Sequence, residues 1–238
     1  MREFRLGKQK IGIGRPTYFI ADIAANHDGK IYNALKLIDL AAKSGANAVK
    51  FQHFSADTIV SDFGFKKLGS KLSHQKKWKK SVYETYKDAS INLEWTKKLK
   101  KHCKELNIEF FSTPYSLDLV DHLNKFVNVY KIGSGDISWH ELIMYVAKKK
   151  KPIILATGAS RLKEVTTIVK KILKINNKIV LMQCNTNYTG EENNFKYINL
   201  KVLNKYREKF PNVILGLSDH THGHETVLGA VTMGARVI

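Results

Sequence analysis

The sequence predicts an α/β fold of the (β/α)8 TIM barrel type, and two observations predict it. Short runs of β-branched and aromatic residues recur at 18–23, 46–52, 108–112, 129–132, 152–157, 179–184, 213–218 and 235–238, and segments of helical period separate them. Several runs are apolar throughout, the pattern of strands covered on both faces of a parallel sheet. Strand and helix alternation suits a doubly wound sheet as well, but eight strand runs favour the barrel. The last run reaches Ile238, so the expected barrel is truncated in its eighth strand, with an open edge of unpaired backbone groups.

The elements between the strands follow from their spacing. Ile31, Ala34, Leu35, Ile38, Ala41 and Ala42 form one apolar helical stripe, which Gly45 ends as a C-terminal cap. Residues 53–92 are too many for an ordinary connection and read as a lid or an inter-subunit arm. Ser138 and Glu141 have capping-box spacing ahead of Leu142 and Ile143. After Ser160, the residues Leu162, Val165, Ile168, Val169 and Ile172 form a second apolar stripe.

Composition narrows the function classes. At 238 residues with 43% hydrophobic residues the chain builds a substantial core, and one domain over 1–238 is expected. Residues 1–11 are charged and no apolar run approaches bilayer length, so a soluble cytoplasmic protein without a membrane partner is expected. Cys103 and Cys184, the only cysteines, lie far apart and do not suggest a disulfide framework. A net charge of +19 raises nucleic-acid binding as a rival reading. The lysines are spread, however, as in Lys97, Lys98, Lys100, Lys101 and Lys104 on the polar side of a helical stretch, so no nucleic-acid partner is expected. The positive field would attract a small anion.

In a barrel of this type chemistry gathers at the C-terminal ends of the strands. Asp22, Lys50, Gln52, Thr113, Lys131, Ser134, Thr157, Tyr188, Ser218 and His220 fall there. Lys50 and Lys131 sit in apolar strands, where a lysine either finds an anion or carries its ammonium to water on a packed stem. With Thr113, Ser134 and Ser218 the two lysines form a candidate phosphate site. Asp22 and Asp136 are candidate acid-base carboxylates, or else partners of those lysines. His220, His222 and His224 are spaced two apart, and His220 is the better candidate metal ligand because it ends a strand. His27, in Asn26-His27-Asp28-Gly29, either orients substrate or stabilises a turn.

The order of motifs resembles the N-acetylneuraminate (sialic acid) synthase family from about residue 19 to 238. The matches are Ile20-Ala21-Asp22-Ile23 with Asn26-His27-Asp28-Gly29, Val49-Lys50-Phe51-Gln52, Ser112-Thr113-Pro114-Tyr115, Tyr130-Lys131-Ile132-Gly133-Ser134-Gly135-Asp136, Ala156-Thr157-Gly158, and Gly216-Leu217-Ser218-Asp219-His220-Thr221. The resemblance implies a barrel followed by a small antifreeze-like domain, and over 1–238 the barrel domain alone is expected. It implies a synthase that condenses phosphoenolpyruvate with an N-acyl mannosamine-type amino sugar, with a divalent metal, manganese or magnesium, as cofactor, and a homodimer when full length.

Residue by residue, it makes Lys50, Thr113, Lys131, Ser134 and Ser218 phosphoenolpyruvate contacts and His220 a metal ligand. Gln52, Asp136 and Tyr188 would face the open-chain sugar, and Asp22 would handle a proton. Three positions depart from the family: Asp22 stands where glutamate is usual, Ala156 where serine is usual, and Thr186 where asparagine or serine is common, although Thr186 still donates. The alternative reading is an inactive barrel fragment that acts as a binding or assembly partner.

Overall fold

The structure, a computed structural model, describes residues 3–68, 78–186, 188 and 191–238. They fall into two compact units, one of residues 21–127 and one that joins 1–20 to 128–238. In chain order the first elements are β1 (Phe4–Leu6), β2 (Gln9–Ile11), β3 (Ile20–Ala24), α1 (Ile31–Lys43), β4 (Ala48–His53), α2 (Ala56–Ile59), α3 (Asp62–Leu68), α4 (Val82–Ala89), α5 (Trp95–Glu105), β5 (Glu109–Pro114) and α6 (Leu117–Asn124). There follow β6 (Tyr130–Ile132), α7 (His140–Lys148), β7 (Ile153–Ala156), α8 (Leu162–Leu173), β8 (Ile179–Cys184), α9 (Val202–Lys209), β9 (Ile214–Ser218) and α10 (Glu225–Thr232).

In the unit of residues 21–127, β3 lies beside β4 and β4 beside β5. The β4–β5 register is parallel and sets Lys50 opposite Phe111 and Gln52 opposite Thr113. Helix α1 buries Ala34, Ile38 and Ala41 from the expected stripe. It ends as the sequence predicts. Gly45 takes φ +80, and the amides of Gly45 and Ala46 donate to the carbonyls of Ala42 and Ala41, the paired bonds of a Schellman motif. Helix α5 buries Thr96, Leu99 and Cys103 and leaves Lys97, Lys98, Lys101 and Lys104 exposed, as its charge pattern requires. The long stretch after β4 is not structureless: it carries α2, α3 and α4, while residues 69–77 of it lie outside the described residues. A capping box starts α4, with Ser81 accepting from the Glu84 amide and Glu84 accepting from the Ser81 amide.

In the other unit β6, β7, β8 and β9 run parallel as successive neighbours. Every residue of β6, β7 and β8 is buried, which accounts for the apolar residues that dominate them. Helix α8 buries Val165, Ile168, Val169 and Ile172. Its first turn is fixed by Glu164, which accepts from the Arg161 amide at 2.7 Å, whereas Ser160 donates to the Thr157 carbonyl. The capping box expected at Ser138 and Glu141 does not form. Trp139 occupies the cap position of α7 without a side-chain bond, so Ser138 lies one residue too early.

The edge expected to be open at the eighth strand is paired over the residues present. Val237 bridges in parallel to both Gly216 and Tyr18. On one side the Arg236 amide donates to Leu215 and the Leu217 amide to Val237; on the other, the amides of Tyr18 and Ile20 donate to Arg236 and Ile238, and the Ile238 amide to Tyr18. Near the start, β1 and β2 form an antiparallel hairpin turned by Gly7 at φ +58. Cys103 and Cys184 are free and buried. Among the described residues no helix is long and apolar enough to cross a membrane.

Candidate active site

Strand alternation assembles the first group of candidates, all within residues 21–127. Lys50 and Gln52 are two apart on β4 and so share a face, and the register puts Thr113 of β5 beside Gln52. Lys50 is nearly buried, and its ammonium pairs with the Asp22 carboxylate at 2.8 Å. Such a charge needs its partner, because an unpaired buried ammonium is costly. Asp22 itself is half exposed. Gln52 donates from Nε2 to the Tyr115 hydroxyl at 3.2 Å. Thr113 is buried.

His27 belongs to the turn. Asp28 and Gly29 both take positive φ, and His27 Nδ1 accepts from the Gly29 amide at 3.2 Å. The ring is fully buried, edge-on to Trp95, and burial lowers its pKa, so it is neutral with its proton on Nε2.

On the opposite face of β4 lies a buried polar chain. His53 Nδ1 is 2.7 Å from Ser112 Oγ and its Nε2 is 2.9 Å from Thr96 Oγ1, which is 3.0 Å from His122 Nε2. Thr96 donates its hydroxyl hydrogen to the Leu93 carbonyl, so it accepts from both rings. Burial and the neighbouring His122 and His27 hold the His53 pKa down at about 3, so the ring is neutral.

The second group lies within 128–238. Lys131, nearly buried on β6, donates to the Ile132 carbonyl at 3.0 Å. One turn of 3₁₀ helix follows at Ser134–Asp136. Burial pushes the Asp136 carboxyl up to about 6, against the lowering pull of Lys131 and of the Gly133 contact. Gly158, at φ +57, is a close-approach position: a Cβ there would lie 2.6 Å from the Ser134 carbonyl oxygen and 3.0 Å from Thr186 Cγ2. Ser134 Oγ in turn is 3.0 Å from the Tyr188 hydroxyl, and the Tyr188 ring meets His220 edge-on with centroids 4.4 Å apart. Ser134, Thr186, Tyr188 and His220 are thus brought together. Ser218, at the end of β9, is paired in register with Cys184 and lies two residues before His220. His222 and His224 are exposed.

A NeuB family model matches residues 37–238. The chain belongs to the NeuB family. It is 36% identical over 231 residues to the N,N'-diacetyllegionaminic acid synthase of Campylobacter jejuni, covering 94% of this chain and 66% of that one. It is 32% identical over 244 residues to the spore coat polysaccharide biosynthesis protein SpsE of Bacillus subtilis, covering 100% of this chain and 62% of that one. The chain therefore spans less than two thirds of the length of these NeuB relatives. Its fold matches the crystal structure of N-acetylneuraminic acid (sialic acid) synthetase from Leptospira borgpetersenii in complex with citrate, with a TM-score of 0.84 and 29% identity over 100% of this chain and 76% of that one. The α/β fold built on parallel strands is thus like that of a solved sialic acid synthetase.

Two residues near the candidate site have no role in the sequence reading, although one of them, Tyr115, ends a matched motif. Tyr115 lies two residues after Thr113, so the period of a strand carries it onto the same face; that period was the available signal. Tyr206, on α9, bonds the Thr157 hydroxyl, and no local pattern announces it.

Proposed function

We propose that this chain condenses phosphoenolpyruvate with the open-chain form of an N-acyl mannosamine-type sugar, forming a nonulosonic acid and releasing phosphate. The observation that carries the reading is two nearly buried lysines within strands, Lys50 of β4 and Lys131 of β6, in a chain of the NeuB family. Each already has a protein partner, the Asp22 carboxylate for Lys50 and the Ile132 carbonyl for Lys131, and a trianionic enol phosphate would add a charge-assisted contact to each. In the reading, Lys50, Thr113, Lys131, Ser134 and Ser218 hold the phosphate and carboxylate by charge and hydroxyl donors. Gln52, Thr186 and Tyr188 orient the sugar.

The bond that forms joins C3 of phosphoenolpyruvate to the sugar aldehyde carbon, and the aldehyde oxygen takes a proton. Water adds at C2, and the C2–O bond to phosphate breaks as the ketone forms. A carboxylate must take the proton of that water. Asp136, pushed up to about 6, suits the task near neutral pH better than Asp22, which is committed to Lys50.

The resemblance also implies a divalent metal on His220. Among the described residues no group of three or more His, Cys, Asp or Glu is placed to hold one, and the His220 ring packs on Tyr188. These residues alone do not fit a metal centre, and no step of the scheme passes through one.

The test is mass spectrometry of products from phosphoenolpyruvate and a panel of N-acetylmannosamine, its 6-phosphate and a diacetamido deoxy sugar. A product with the mass of the sugar plus pyruvate, with one phosphate released per product, is the expected outcome. No phosphate release with any sugar and added manganese or magnesium would count against the reading, and in favour of a binding or assembly role.

A further inference from the structure

We propose that Tyr115 is a specificity-determining positioning residue, which turns the carbonyl oxygen of Gln52 toward the sugar and thereby selects a substrate with a hydrogen-bond donor, the N–H of an acylamino group. The inference rests on the proposed condensation and deepens it. A glutamine amide presents either a donor or an acceptor, according to which end its neighbours engage. Here the Nε2 end is engaged by the Tyr115 hydroxyl at 3.2 Å. Among the described residues Oε1 of Gln52 accepts no hydrogen bond, and the side chain is only partly buried, so that oxygen is left for a ligand.

The tyrosine is itself held in place. Its amide donates to the His53 carbonyl at 3.0 Å, and its ring meets Phe54 at 87° with centroids 6.0 Å apart. Phe54 packs in turn on Tyr86 of α4, with centroids 5.5 Å apart. A fixed hydroxyl beside a short side chain sets which face the amide shows. Gln52 stands beside Thr113 and two residues beyond Lys50, so its carbonyl oxygen lies on the strand face that carries the proposed phosphoenolpyruvate contacts. Tyr115 acts through Gln52.

The experiment is steady-state kinetics of the chain and of Y115F, Q52E and Q52L, with the best sugar of the panel and with its analogue lacking the acylamino group at C2. Glutamate retains acceptor oxygens and can take the Tyr115 O–H, whereas leucine offers nothing. Y115F is expected to lower kcat/KM for the acylamino sugar about five- to tenfold, through the sugar KM, which is the size of effect one hydrogen bond gives. The phosphoenolpyruvate KM and the value for the analogue should stay unchanged, which a merely structural defect would not allow. Q52E should keep the preference between the two sugars and Q52L should lose it.

Equal losses for both sugars in Y115F, or Q52E as indiscriminate as Q52L, overturn the inference; the latter would mean that Gln52 shows its NH2 end. Wild type that consumes no phosphoenolpyruvate with any sugar overturns the condensation reading itself, and this inference falls with it.

Discussion

Among single residues Asp136 makes the sharpest demand. Its carboxyl titrates at about 6, above its ordinary 3.8, because burial outweighs the nearby Lys131. A carboxyl raised on folding stabilises the folded state while it is protonated, and that contribution is lost as pH rises through about 6. Asp136→Asn is therefore expected to raise Tm by a few degrees at pH 8 and by less at pH 5, measured by calorimetry; about 1 kcal/mol moves a domain of this size by roughly 2–4 °C. If the carboxylate takes the water proton, wild-type kcat/KM should fall as pH drops through about 6, and the Asn variant should have lost most activity together with that limb. Lys131 is the second case. Replacing it by Met would remove the proposed charge-assisted contact to phosphoenolpyruvate, and a rise in that KM of roughly 10- to 100-fold with the sugar KM little changed is expected. Unchanged phosphoenolpyruvate kinetics would sink its assignment to the phosphate.

Between elements, buried polar groups and close backbone contacts do the joining. His53 links β4 to Ser112 of β5 and Thr96 of α5, and its folded pKa of about 3 lies below the ordinary 6.5. The unfolded chain then binds the extra proton first, so the stability from keeping this ring neutral is present above about 6.5 and is lost as pH falls toward about 3. His53→Gln should be less stable at pH 7 by about 1–3 kcal/mol, since hydroxyl partners are left unsatisfied. Its urea midpoint should nevertheless fall less steeply than wild type between pH 6.5 and 4; parallel slopes would assign the acid sensitivity to other groups. At the other end of the chain, a Cβ at Gly216 would lie 2.6 Å from the Val237 carbonyl oxygen, which accepts from the Leu217 amide. Gly216→Ala is expected to cost about 1–3 kcal/mol of stability and to speed hydrogen exchange at Leu217. These links explain what could be read from the sequence. The runs of β6, β7 and β8 and the stripes of α1 and α8 are legible because burial repeats along the chain with a period. The His53 chain is not, since Thr96 and Ser112 stand 43 and 59 residues from it. Ser138 and Glu141 have the spacing of a capping box, but the helix starts one residue later, a boundary that local sequence does not fix. The lysines, Asp22 and His220 were legible as polar residues in or beside apolar strand runs, although the strands carry Asp22, Lys50 and Lys131 inside them rather than at their ends; that Lys50 pairs with Asp22 depends on which strands become neighbours, and that Tyr188 joins Ser134 to His220 on loops whose course has no periodic signature.

At the scale of the whole molecule the outstanding property is charge: 40 lysines and arginines against 21 aspartates and glutamates. A long-range field and a local contact respond differently to salt. Exposed charges are screened beyond about 10 Å at 0.1 M salt and about 3 Å at 1 M, whereas a partly buried pair such as Lys50 with Asp22 is screened less. If the excess lysines serve to gather an anionic substrate, the phosphoenolpyruvate KM should rise several-fold between about 0.05 and 0.5 M KCl, while that of an uncharged sugar stays level. The exposed face of α5 tests whether the field or the site is responsible. Reversing Lys97, Lys98, Lys101 and Lys104 to Glu touches none of the proposed contacts. At low salt this variant should show a phosphoenolpyruvate KM about two- to threefold above wild type, and at 0.5 M KCl the two should coincide, because screening has already removed what the reversal takes away. A nucleic-acid partner predicts something else. Clustered contacts to phosphates give log-log salt slopes of about −0.9 per phosphate neutralised, so binding of a short DNA duplex with a slope steeper than about −4 would reveal a localised basic surface. A shallow slope together with the convergent KM values is the expected result, and it would identify the charge as a diffuse attraction for small anions.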